Sequence, residues 1–269
     1  MSNNNEHSSN RLIWLAILVT SVIIATISAL FIFLQFTGKD YSKIGLKPVS
    51  SQVETPVGLG DNNDTSKENL PENPVDFKKL SEINTDIYAW IQIPNTEINH
   101  AIVQAGPDHD DFFYLNHNIE GNYEFAGSIY TEKQSAKDFS DPVTLIYGHN
   151  MLNGTMFADL HKFADSDFFK DNEELLIYTP GHKLTYKIYA AYVYDNRHIL
   201  NSFDFSKKED LKEYFESTTN PISLSKNVRK GVKLKLSDKV VTLSTCTKDG
   251  NKSTRYLVQG VLINNERTR

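Results

Sequence analysis

The 269-residue chain contains one cysteine. No intramolecular disulfide can form, and no zinc or iron–sulfur centre built from several thiolates is available. Basic residues are not in excess either. The 28 Lys and Arg face 34 Asp and Glu, a formal net charge of −6. Nucleic-acid binding needs a cationic face to displace condensed counterions, so this balance argues against a nucleic-acid partner. Internal repeats are absent, and no tight His/Asp/Glu cluster indicates a metal. Asp108-His109-Asp110-Asp111 reads as a solvated loop rather than a ligand set. Apolar material is plentiful: 39% hydrophobic residues, with 15 Phe, 13 Tyr and 2 Trp. That supports a real core, excludes a wholly disordered chain and, with the length, gives one or two domains.

Residues 12–36 read LIWLAILVTSVIIATISALFIFLQF, without a charge. As a helix they would extend about 37 Å, against a hydrocarbon core of about 30 Å. Thr20, Ser21, Thr26 and Ser28 can return their hydroxyl protons to the helix backbone. A cleavable signal peptide usually has a shorter apolar region ending at small residues, whereas Phe31-Ile32-Phe33-Leu34 approaches no such site. The expectation is a transmembrane signal anchor at 12–36 after a cytoplasmic tail at 1–11. Lys39, Lys43 and Lys47 outnumber Arg11 as flanking cations, so the positive-inside rule taken alone would place the C-terminal side in the cytoplasm. Residues 37–74 are rich in Ser, Asn, Pro, Gly and charge with no apolar period, and are expected to form a flexible linker.

Residues 75–269 read as one domain. Phe77, Leu80 and Ile83 recur at helical spacing after Pro74, predicting a helix over 75–84. Runs rich in Val, Ile, Tyr and Thr then predict strands over 87–93, 98–104, 126–131, 143–149, 174–178, 184–195, 240–246 and 255–263. Helices are expected at 155–163 and 206–217, the latter with Ser206 and Glu209 as a capping box. About eight strands with few helices suggest a closed or nearly closed β-barrel.

Cys246 ends the strand KVVTLSTC, and the loop 247–254 leads to Arg255 at the start of RYLVQGVLI. If these strands pair antiparallel, thiol and guanidinium face each other across a hairpin mouth. A nearby cation favours the thiolate and can stabilise charge on a carbonyl oxygen. His149, closing the apolar strand VTLIYGH, is the candidate proton partner; the other seven histidines, His161 and His198 among them, lie in polar or loop contexts. Read from the residues alone, an inert core cysteine and a surface histidine stay open.

The motifs carry more. Thr242-Leu243-Ser244-Thr245-Cys246, Arg255 after it and Tyr147-Gly148-His149 before it resemble the signatures of the sortases, cysteine transpeptidases of Gram-positive cell surfaces. The segments 148–163 and 177–195 and a helix before the cysteine strand resemble class B in particular. The resemblance implies a mainly β fold, an eight-stranded sortase-type β-barrel with an N-terminal helix and a helix inserted before the cysteine strand. It implies Cys246 as nucleophile, His149 as general acid/base and Arg255 as oxyanion-stabilising group. The N–H of Thr247 would complete the oxyanion site, and Ser244 would touch substrate. An acidic residue proposed two positions after the cysteine in some class B relatives is Lys248 here, with Asp249 one further on, which leaves Asp249 a turn residue beside Gly250. The implied activity cleaves a C-terminal sorting motif, by default of Asn-Pro-x-Thr type, after Thr. The acyl group passes to an amine of a peptidoglycan precursor or of a pilin. Surface proteins or pilins would be the partners, no cofactor is implied, and the domain would lie outside the cell membrane, against the flanking-charge count.

Two alternatives compete. An L,D-transpeptidase would carry a histidine shortly before a Gly-Cys pair, whereas Thr245 precedes Cys246 here. A membrane-tethered β-barrel binding module would treat Cys246 as structural.

Overall fold

The computed structural model describes residues 14–29, 45–47 and 70–269. The chain divides into two compact units, Met1–Lys39 and Asp40–Arg269. In the first, residues 14–29 are helical (α1) with outward apolar side chains. Thr20 Oγ1 donates to Ala16 O and Ile17 O, Ser21 to Leu18 O and Thr26 to Ile23 O, so these hydroxyls are satisfied within the helix. Among the described residues no helix is long and apolar enough to cross a membrane. Positions 12, 13 and 30–36 of the expected span, and the tail at 1–11, lie outside the described residues.

The second unit opens with helix α2 (Phe77–Ile83), where Asp76 rather than Pro74 sets the start by accepting from Lys79 N. The strands are β1 (Ile87–Gln92), β2 (Asn99–Gln104), β3 (Ile129–Thr131), β4 (Val143–Tyr147), β5 (Glu174–Thr179), β6 (His182–Asp195), β7 (Lys226–Val228), β8 (Val240–Cys246) and β9 (Thr254–Arg267). They hydrogen-bond in the order β5-β1-β2-β3-β4-β8-β9-β6-β7, and β5 also pairs with β6. That pairing closes eight strands into a barrel and leaves β7 as a short edge strand on β6. The sequence hides β7 because Lys-Asn-Val carries no apolar alternation. Pairing is antiparallel except β2–β3 and β4–β8.

All eight barrel strands contribute to one buried cluster, which includes Ile91, Ile102, Ile129, Ile146, Ile177, Tyr186, Leu243 and Val258. The other parity of the same strands faces outward and is covered twice. Helix α2, Leu46 and Val75 pack over Trp90, Val103 and Tyr130. Helices α4 (Ile199–Ser202) and α5 (Lys208–Thr219) pack over Leu145, Tyr189, Val240 and Leu257. Burial on both faces explains why these strands read as apolar runs instead of strict alternation.

Local readings shift in two places. Helix α5 begins at Lys208 without a side-chain cap, because the Ser206 hydroxyl bonds Asp204 Oδ1 at 2.6 Å instead of capping. The helix expected at 155–163 is a 3-10 turn, Ala158–Ala164, followed by α3 (Ser166–Asp171), whose N-cap Asp165 accepts from Asp167 N and Phe168 N. Within the expected linker, Leu46 forms an antiparallel bridge with Val75, and Asn73 Nδ2 donates to Thr179 O and Thr268 Oγ1, both at 3.0 Å. Residues 37–44 and 48–69 of that stretch lie outside the described residues.

Candidate active site

Strand register fixes the neighbour of Cys246. Cys246 is opposite Arg255 at the open end of the β8–β9 hairpin. Leu262 N donates to Lys239 O at 2.8 Å, so the alternation makes Cys246–Arg255 a non-hydrogen-bonded pair, the type with the closer side chains. Cys246 is exposed, whereas every other residue of β8 is buried. Ser244, Cys246, Arg255 and Leu257 share the outward parity. Together with His149, Tyr130, Tyr147, Leu115, Tyr194 and His198 they line one cleft of about 240 Å³.

His149 reaches the cleft through a tightly constrained corner. A Cβ on Gly148 would lie 2.4 Å from Ile129 Cδ1 and 2.7 Å from Phe157 Cδ2, so only glycine lets the chain leave β4 this close to the core. Gly148 N donates to Ser244 O and Phe157 N to His149 O, which pins the backbone on both sides. The imidazole Nε2 lies 2.8 Å from Leu115 O, and the ring stacks on Phe125 with centroids 5.8 Å apart. A carbonyl only accepts, so the contact fits the tautomer with the proton on Nε2 and leaves Nδ1 as the acceptor nitrogen. Leu115 is held in turn: its neighbour Tyr114 is buried and donates from its phenol to Asp86 Oδ2 at 2.8 Å. A main-chain carbonyl thus orients the histidine, as a carboxylate does in a hydrolase triad.

Arg255 Nη1 donates to Thr254 O at 2.8 Å and Lys252 O at 3.2 Å, which holds the guanidinium at the hairpin mouth. Its charge also reaches the cleft wall. Burial and the Glu132 carboxylate push the Tyr130 phenol far above its ordinary value, and Arg255 partly opposes them. Ser244 is buried within the lining. Thr247 is buried and stands outside the lining, its hydroxyl 2.9 Å from Thr254 Oγ1. Asp249 accepts from Asn251 N beside Gly250, whose φ is +69°. The Thr247 hydroxyl and that N–H hold its carboxyl below the usual range.

Two arrangements have no sequence signal. Buried Glu132 receives His198 Nε2 at 2.6 Å and Gln134 Nε2 at 2.7 Å, a hydrogen-bonded pair that ties a carboxylate outside the lining to a histidine of the cleft. His161 is buried with Nε2 2.9 Å from Cys246 O. Both contacts span 66 residues or more, which local pattern cannot anticipate.

An exposed thiol, an oriented imidazole and a guanidinium line one cleft on a closed barrel, the kinds of group that cysteine acyl transfer uses. The sortase-domain family model matches residues 91–263, and the chain belongs to the sortase family as a class B cysteine transpeptidase. It is 31% identical over 189 residues to sortase B of Listeria monocytogenes, covering 70% of this chain and 74% of that one. The crystal structure of Clostridium perfringens sortase B superposes with a TM-score of 0.63 at 32% identity, covering 70% of this chain and all of that one. A Streptococcus pyogenes class B sortase involved in pilus biogenesis superposes at 0.58 and 28% identity, covering 70% and 98% of the respective chains.

Proposed function

We propose that this chain is a membrane-anchored transpeptidase that cleaves a sorting motif of Asn-Pro-x-Thr type after its Thr and transfers the protein to an amino group of the cell wall or of a pilin. The observation that carries the reading is the cleft shared by Cys246, His149 and Arg255. In the first step the Cys246 thiolate attacks the Thr carbonyl. Negative charge develops on the oxygen, stabilised by Arg255 and the Thr247 N–H. The C–N bond breaks as protonated His149 gives its proton to the leaving amine, and a thioester remains. In the second step an acceptor amine attacks the thioester, His149 takes its proton, and the thiolate leaves. Ser244, on the same face as Cys246, contacts the motif.

The uncharged run at 12–36 supports a single-pass anchor, and the two implied substrates support an outward-facing catalytic domain with residues 1–11 inside. The pilus-biogenesis role named for the Streptococcus pyogenes relative supports a pilin lysine as one acceptor. A peptide-library cleavage assay on the full chain tests the reading. Cleavage after Thr within Asn-Pro-x-Thr peptides, with amide products when an amine is supplied, is expected. Cleavage at another bond, or none in the whole library, contradicts it.

A further inference from the structure

β4 and β8 run parallel, and even-numbered residues of β8 turn their backbone polar groups toward β4: Val240 N donates to Pro142 O and Ser244 O accepts from Gly148 N. Continuing that ladder, the next donor to Cys246 O would be Asn150 N. But the chain leaves the sheet at His149, and Asn150 bridges Met156 instead. The nucleophile's carbonyl is thereby left without its ladder partner. His161, carried by the 3-10 turn Ala158–Ala164, supplies the donor from the barrel's interior side: Nε2 is 2.9 Å from Cys246 O, and the ring packs on buried Tyr256 with centroids 4.7 Å apart. Burial lowers the affinity of this imidazole for a second proton, and Lys248 acts in the same direction. The contacted carbonyl and Asp249 act against it. The neutral form with Nε2 protonated is the one that fits.

Cys246 O and Thr247 N–H belong to one trans peptide group, so they point in opposite directions. Fixing the oxygen on His161 therefore fixes the direction of the N–H. That N–H has no acceptor among the described residues. A hydrogen bond to the carbonyl also polarises the peptide and strengthens its N–H as a donor. We infer that His161 is a positioning residue that aims and polarises the Thr247 N–H as an oxyanion donor during acylation. This rests on the acyl-transfer reading above and adds a residue to it that touches no reacting atom.

The test compares wild type, His161→Phe and His161→Gln in the full chain. Phe keeps the packing on Tyr256 without a donor, and Gln restores a side-chain N–H. Removing an oxyanion donor costs about 100- to 1,000-fold, so misaiming one should cost about 10-fold. In His161→Phe, kcat for thioester formation from an Asn-Pro-x-Thr peptide should fall by about that factor with KM unchanged. Alkylation of Cys246 by iodoacetamide, which needs no oxyanion donor, should keep its rate. The 15N–1H signal of Thr247 should shift, and Gln should recover much of the loss. Wild-type kcat in His161→Phe, equal losses of alkylation and acylation, or no recovery in His161→Gln would each overturn the inference. The Thr247 signal needs no substrate. A wild-type chain that forms no thioester would sink the acyl-transfer reading, and an unmoved Thr247 signal would separately sink the role of His161.

Discussion

Arg255→Ala separates chemistry from fold. The guanidinium makes two hydrogen bonds, both to carbonyls of its own hairpin, and the residue is only half-buried. Their loss should cost about 1 kcal/mol of stability, or about 2–4 °C in Tm for a domain of this size. Its proposed role in acylation is far larger. Removing one preorganised donor from an oxyanion costs about 2.7–4 kcal/mol, so kcat/KM should drop about 100- to 1,000-fold. The assay is rapid-quench measurement of thioester formation by intact mass, beside a thermal melt of each sample. Arg255→Lys should retain part of the rate, since charge survives while the planar fork is lost. Wild-type turnover in Arg255→Ala would refute the role, and a melt lowered enough to explain the lost activity would refute the reasoning behind it.

Three further outcomes follow from the packing. Gly148→Ala should destabilise the chain by about 1–3 kcal/mol through overpacking against Phe157 and Ile129, and should lower acylation because His149 follows directly; an unchanged urea midpoint would contradict it. Gln259 is fully buried, accepts from Thr242 Oγ1 at 2.7 Å and donates to Tyr192 and Tyr214. Gln259→Leu should cost about 2–4 kcal/mol in urea denaturation, because three buried hydroxyls lose a partner; a loss below about 0.5 kcal/mol, the ordinary surface range, would contradict it. Burial raises the phenols of Tyr88, Tyr186, Tyr189 and Tyr192 well above their ordinary value, and that of Tyr214 to about 12. Folded-state values above unfolded ones mean stability is intact below about pH 10 and is lost as pH rises toward the folded values, by up to about 1.4 kcal/mol per unit for each phenol. Phenolate absorbance should therefore appear together with loss of circular dichroism; those phenols ionising near pH 10 in a still-folded chain would contradict it.

The legible parts of the site were those that local rules control. Alternation and an eight-residue connection were enough to place Arg255 opposite Cys246, because hairpin register depends on neighbouring residues. Strand interiors were legible for the same reason, while β7 was too short and polar to show. Ser206 and Glu209 have capping-box spacing, yet Asp204 competes for the Ser206 hydroxyl, a contest between neighbours that the motif does not display. His161 falls in the segment expected as a helix over 155–163, in a polar context that gives no sign of burial. Its partner is 85 residues away, and its burial depends on where β4 departs from the sheet. Glu132 follows a short strand in a charged stretch, and only the return of the chain at His198 explains why a carboxylate can be buried there.

A thioester at one sulfur is the expected intermediate. Intact-mass and peptide-mapping analysis of the full chain, acid-quenched during turnover of an Asn-Pro-x-Thr peptide, tests it most directly. The expected species is an adduct of the acyl fragment ending in Thr, confined to Cys246, abolished in Cys246→Ala and reduced in His149→Ala. An adduct on any other residue, or turnover that persists in Cys246→Ala, would contradict it.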